Sequence, residues 1–202
     1  MAVCDSLLKK EIGMDCSNPI IPGYEQEGVI MNRCDVDFAA TAFNAARKNV
    51  IETLAMKSTK KGYKVVVPGK TPFTGSTTTM VAGNFVNTFT NTINIVVLAN
   101  DPDVCADIID GLANGSYVLV LENKHKGLNK EANAGDSAFQ VYGYYQGLQA
   151  TAIENNKYSE ETEGGWAITL EEQKVPKSAL FLYKTSYQVT KTAVDTLVSG
   201  GA

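Results

Sequence analysis

The chain has 202 residues and a mass of 21.7 kDa, with 18 basic against 22 acidic side chains and a single histidine. These totals fit one domain, and the net charge of −4 argues against a sequence-reading nucleic-acid binder, which needs a strong basic patch. No apolar run approaches the ~20 residues of a membrane span, and no charged start precedes a long apolar stretch, so neither membrane insertion nor a secretion signal is expected.

Residues 1–26 read as an arm, followed by a single β-rich domain over residues 27–202. Ser6 to Ile12 has the spacing for about two helical turns, and Asn18, Pro19, Pro22 and Gly23 then break regular structure. Gly28 to Asn32 predicts a short strand. Asp35 to Ala46 fits a helix by its spacing of Phe38, Ala42 and Ala46, but Asn44 weakens it. Val50 to Met56 predicts a strand, a basic turn holds Lys57, Lys60 and Lys61, and Tyr63, Val65 and Val67 predict another strand, ended by Pro68 and Gly69. Thr71 to Met80 is an exposed loop or an edge hairpin. Next comes the longest strand signal: Phe85, Phe89, Ile93, Ile95 and Val97 on one face, and Thr88, Thr90, Thr92 and Asn94 on the other. An apolar face backed by a Thr/Asn ladder belongs to a sheet wet on one side.

One helix is well marked. Asp101 is the N-cap, Pro102 takes the first helical position, and Val104, Cys105, Ile108, Ile109 and Leu112 form an apolar stripe ended by Asn114 and Gly115. Tyr117 to Leu121 is apolar on both faces, hence a central strand, and Glu122 to Asp136 is a long polar loop. Residues 137–172 alternate with period two in three runs, around Phe139, around Leu148 to Ala152, and around Trp166 to Leu170. These predict three strands of one sheet, with bends at Gly143 and Gly147. A late strand is expected over Ala179 to Tyr183, and a final helix around Tyr187, Ala193, Val194 and Leu197.

No catalytic constellation assembles from these residues, and the chain reads as a non-enzyme without metal or cofactor. His125 lies between Lys124 and Lys126 in a polar loop, which is not the held imidazole that base chemistry wants. Gly69, Lys70 and Thr71 resemble the end of a phosphate loop, but Lys64 stands where its first glycine belongs. Asp101, Asp103, Asp107 and Asp110 are spaced along the solvent face of the helix. Cys4, Cys16, Cys34 and Cys105 make no C-x-x-C pair and are expected as reduced thiols. Tyr142, Tyr144 and Tyr145 have the ring faces for base stacking, though packing is the commoner use of such residues. Two segments of opposite charge stand out: Lys57, Lys60, Lys61, Lys64 and Lys70, and Glu154, Glu160, Glu161, Glu163, Glu171 and Glu172. Charge runs are commonly solvated loop charges, but unlike charged surfaces on one chain also suit a heterologous contact between copies, with Lys57, Lys60, Lys61 and Lys64 facing Glu160, Glu161 and Glu163.

A β-rich domain with one side helix, a polar strand face, a long loop and an N-terminal arm resembles the tail-tube proteins of tailed bacteriophages. The local phrasing is similar to virion structural proteins of gut phages, including the crAss-like group: Gly28-Val29-Ile30-Met31-Asn32-Arg33 with Asp35 and Asp37, Leu121-Glu122-Asn123-Lys124, Tyr142-Gly143 with Gly147-Leu148, and Gly164-Gly165-Trp166. The resemblance implies a β-sandwich or barrel fold with one packed helix. It implies a protomer that closes into a ring, usually a hexamer, whose strands pool into one barrel around a channel for DNA. Thr88, Thr90, Thr92 and Asn94 then face the channel. Head-to-tail junction rings look related, so the implied place is the tail or connector of a virion assembled in host cytoplasm, beside other tail and connector proteins. The alternative is a monomeric β-sandwich that binds a host surface or a carbohydrate.

Overall fold

A computed structural model describes residues 19–67, 70–127 and 134–199, with Leu8, residues 10–13 and Cys16 of the N-terminal stretch. Of the helix expected over Ser6 to Ile12, Ser6, Leu7 and Lys9 lie outside them, and the described Leu8, Lys10, Glu11 and Ile12 hold no helix.

The chain is mainly β, in two sheets with little helix. The larger sheet has seven strands: β1 (Tyr24–Asn32), β2 (Ala42–Phe43), β3 (Val50–Thr53), β4 (Tyr63–Val66), β7 (Tyr117–Asn123), β8 (Phe139–Tyr142) and β11 (Leu180–Leu182), in the order β2-β3-β11-β8-β7-β1-β4. The smaller has four: β5 (Phe73–Val81), β6 (Thr88–Val97), β9 (Gln149–Asn155) and β10 (Trp166–Val175), in the order β5-β6-β10-β9. All neighbours within the smaller sheet are antiparallel.

Strand β7 explains the layering. All but its last residue are buried, and successive side chains leave a strand on opposite faces. Val118 and Val120 join Val29, Met31, Phe139 and Leu182 beneath the C-terminal helix α3 (Tyr187–Ser199), which contributes Val194 and Leu197. Tyr117, Leu119 and Leu121 join a second cluster with Phe73, Ile93, Ile95, Ile168 and Leu170 of the four-stranded sheet. The central strand therefore supplies both cores, as its sequence predicts.

Several expectations are corrected. The runs around Phe139, Leu148 and Trp166 do not share one sheet: β8 lies in the larger, β9 and β10 in the smaller. The switch is made at Gly143 and Gly147, both in the left-handed region with φ of 79° and 86°. A Cβ at Gly143 would sit 2.1 Å from the Tyr117 carbonyl oxygen, so only glycine passes there. The region Asp35 to Ala46 forms no helix. A 3-10 turn (Arg33–Asp35) leads into loops where Asp37 Oδ1 accepts from the Ala39 and Ala40 amides, and Asn44 Oδ1 from those of Ala46 and Arg47. Such side-chain bonds satisfy backbone donors in place of a helix. Strand β1 starts at Tyr24, earlier than expected, and β6 starts only at Thr88, which leaves Phe85 in the hairpin turn.

The helical segment 102–114 is not a plain α-helix. Asp101 caps it as expected, its Oδ1 accepting from the Val104 amide at 2.9 Å. Between α1 (Pro102–Val104) and α2 (Asp110–Asn114), however, Cys105–Ile109 is π-helical, and the Asp110 amide donates back to the Cys105 carbonyl. The wider turn advances the buried face by one residue. Ile109 is buried, and Ile108 is 42% exposed.

Candidate interaction surfaces

The Thr/Asn face lies on the four-stranded sheet, away from the core. Thr88, Thr90, Thr92 and Asn94 are half-buried, and the alternate residues Ile93 and Ile95 are buried. Cross-strand pairing extends the face into a polar ladder: Thr79 opposite Thr90, Thr77 opposite Thr92, Thr92 opposite Glu171, and Asn94 opposite Thr169. Thr169 Oγ1 donates to Asn94 Oδ1 at 3.1 Å.

This sheet has two free edges. Neither β5 nor β9 has a strand on its outer side among the described residues. Edge strands are normally guarded by lysine, proline or a bulge. Strand β5 carries no charge, and the whole segment 71–100 lacks Asp, Glu, Lys and Arg; its one guard is a bulge at Thr74, and β9 has a bulge at Thr151 and the charge of Glu154. Its turn projects Phe85 at 99% and Val86 at 72% exposure, beside the exposed Met80 and Val81. The turn is built rather than loose. The Gly83 amide donates to Asn87 Oδ1 at 3.2 Å, and a Cβ on Gly83 would come within 2.3 Å of the Val86 carbonyl oxygen.

At the other end of β5 opens a cleft of about 600 Å³, walled by Ile20–Tyr24, by residues 71 and 73–76, and by Asn123, Lys124 and His125. Ser137, with Gln140 and Phe181 of the seven-stranded sheet, completes its lining. The Tyr24 hydroxyl bonds Ser76 Oγ and lies 2.8 Å from the Tyr142 hydroxyl. Burial pushes the Tyr142 phenol far above its ordinary value, and Tyr24 beside it adds to the rise. The three hydroxyls form one hydrogen-bonded group, of which Tyr24 and Ser76 line the cleft.

The charged segments are already engaged within one protomer. Lys57 Nζ donates to the Cys34 carbonyl, Lys60 pairs with Asp35 at 3.4 Å, and Lys64 with Glu27 at 3.2 Å. The two segments meet once, Lys70 with Glu163 at 3.3 Å, in an exposed pair of the kind that contributes little. Lys61, Glu160 and Glu161 are exposed.

Glu172 does not belong to any acidic surface. It is 2% exposed, and its carboxylate accepts from the amides of Gly143, Tyr145 and Gln146 and from Asn91 Nδ2. The missed signal was its phase, since Ile168, Leu170 and Glu172 share the inward face of β10. The tyrosines of this turn are packed. Tyr144 meets Phe38, Phe43 and Tyr145 edge-on at 5.3–5.4 Å, and Arg33 lies over Phe38 while its Nη2 donates to the Tyr145 carbonyl. His125 lines the cleft, the helix aspartates 101, 103, 107 and 110 are exposed, and among the described residues no group of three metal-ligating side chains converges. No helix among the described residues is long and apolar enough to cross a membrane. No protein-family model, no curated protein and no solved structure matches this chain.

Proposed function

We propose that this chain is a structural subunit, not an enzyme, and that copies of it join through the four-stranded sheet into a ring or tube around a channel, as in the tail or connector of a tailed-phage virion. The observation that carries the reading is the pair of unlike edges, each without a further strand on its outer side among the described residues. Strands β5 and β10 run one way and β6 and β9 the other. A neighbour's β5 laid beside β9 therefore continues the antiparallel alternation with no reversal. Repetition of that contact is heterologous and closes a ring. Closure removes the edges that the monomer leaves open. The two sheets, which share the cluster of Leu119, Leu121, Ile93 and Ile168, would form each ring's wall as a sandwich, and the polar ladder with Thr88, Thr90, Thr92 and Asn94 would face inward. A lumen of hydroxyls, amides and Glu171 offers no cations to hold DNA phosphates, so DNA passes without being gripped. Contacts of Lys61 with Glu160 and Glu161 between copies would set register more than strength. Light scattering on the eluting protein and negative-stain microscopy test this. Wild type should assemble well beyond 21.7 kDa, and Thr77→Lys with Thr79→Lys should stay monomeric. A wild type that remains monomeric at about 100 μM refutes the reading.

The open cleft favours a second reading, a monomeric module that binds a host surface or carbohydrate through hydroxyls, Gln140 and Phe181. A glycan array on the monomer separates it from the first.

A further inference from the structure

The hairpin turn and the cleft lie at opposite ends of one strand. Residues 71–76 wall the cleft, and residues 82–87 form the turn. From Ser76 to Ala82 a strand spans about 20 Å. The hairpin is held straight by its pairing with β6, which continues from Gly75–Asn94 to Val81–Thr88. The turn therefore cannot fold back into its own cleft.

Resting on the homo-oligomer reading, we propose that the hairpin turn of one copy, led by Phe85 and Val86, docks in the cleft of the next copy along the strand direction. Rings are thereby stacked into a tube. Three observations choose this occupant. The turn is uncharged across its whole segment, and the cleft lining holds no acidic residue and only Lys124 and His125 as basic ones, so docking strips water from few charges. The turn is pre-organised by Gly83 and Asn87, so little ordering is lost on binding. An aromatic side chain fully outside the fold and a cleft of about 600 Å³ match as anchor and pocket. The contact is also orthogonal to the edge pairing. Joining β5 to β9 extends the sheet sideways, while turn-into-cleft extends it lengthwise. A chain with both contacts makes a tube, and a chain with the first alone makes single rings.

The full-length protein tests this with a benzophenone side chain in place of Phe85, in a mixture of isotopically light and heavy protein. The expected result is a cross-link between copies, joining residue 85 to peptides that contain residues 20–24, 71–76 or 123–125. Because Phe85 touches nothing in the monomer, Phe85→Ser should keep the wild-type melting temperature, and so should Thr74→Arg, which fills an exposed wall of the cleft. Each should weaken stacking by about tenfold or more and leave short rings. Stacking should be nearly independent of salt, unlike a contact carried by lysine and glutamate. Assemblies whose residue 85 cross-links elsewhere, or that lengthen normally with Phe85→Ser, overturn the inference and leave the ring reading standing. A purely monomeric wild type overturns both.

Discussion

Replacing Glu172 by glutamine keeps the side chain's shape and removes its charge. Oε1 accepts from the Tyr145 and Gln146 amides at 3.0 and 2.9 Å, and Oε2 from the Gly143 amide and Asn91 Nδ2 at 2.9 and 3.2 Å. Whichever oxygen becomes an NH2 then faces two donors and accepts from neither. Two buried donors left unpaired at about 1–3 kcal/mol each give a loss of roughly 2–6 kcal/mol. A domain of this size has only about 5–15 kcal/mol in total. In urea unfolding, with a slope of about 2 kcal/mol per molar, the midpoint should fall by about 1–3 M. Asn91→Ala alone should cost less, and the double variant should fall short of the sum because the two side chains share a bond. If Glu172→Gln unfolds within about 0.5 kcal/mol of wild type, the carboxylate does not hold the turn against β10, and the tie between the sheets rests on apolar packing alone.

The π-turn makes two neighbouring isoleucines behave oppositely. Ile109→Ala should cost roughly 2–5 kcal/mol in the same unfolding assay, and Ile108→Asp should stay soluble and folded. The reverse result would mean a plain α-helix. Tyr187 gives a pH signature. Burial first, then its hydrogen bond to Glu122, pushes its phenol from 10.0 to about 12. Between those values the folded state holds a proton that the unfolded state has lost, so stability should fall as pH rises from about 10 to about 12. Tyr187→Phe should flatten that part of the profile, measured as melting temperature against pH. An unchanged slope would show that Tyr187 ionises freely in the folded protein.

Much of the fold is legible in the sequence where one signal acts alone. Strand β7 reads as central because all its positions are apolar up to Leu121, and α3 and the Asp101 cap follow from spacing and capping chemistry. The failures occur where tertiary context overrides a local pattern. The alternation over residues 137–172 is real, but nothing in it states that Gly143 and Gly147 carry the chain between sheets. The stripe through Ile108 assumed 3.6 residues per turn, and one wide turn displaced it. Glu172 looked like a surface charge because its four donors, three of them main-chain amides 26–29 residues away, are invisible to composition. Of the interaction surfaces, the Thr/Asn face was legible from alternation. The cleft was not, because its walls come from five separate stretches of chain.

Strand β11 sits between β3 and β8, pairing in parallel with Val50 and Ile51 and antiparallel with Val141 and Gln140. The gap it fills stays open until residues 180–182 have been made. Until then, a growing chain on the ribosome carries β2 and β3 with no place in the sheet. Contacts so distant in sequence also slow folding. A chain cut before residue 180 lacks the joint that unites its larger sheet.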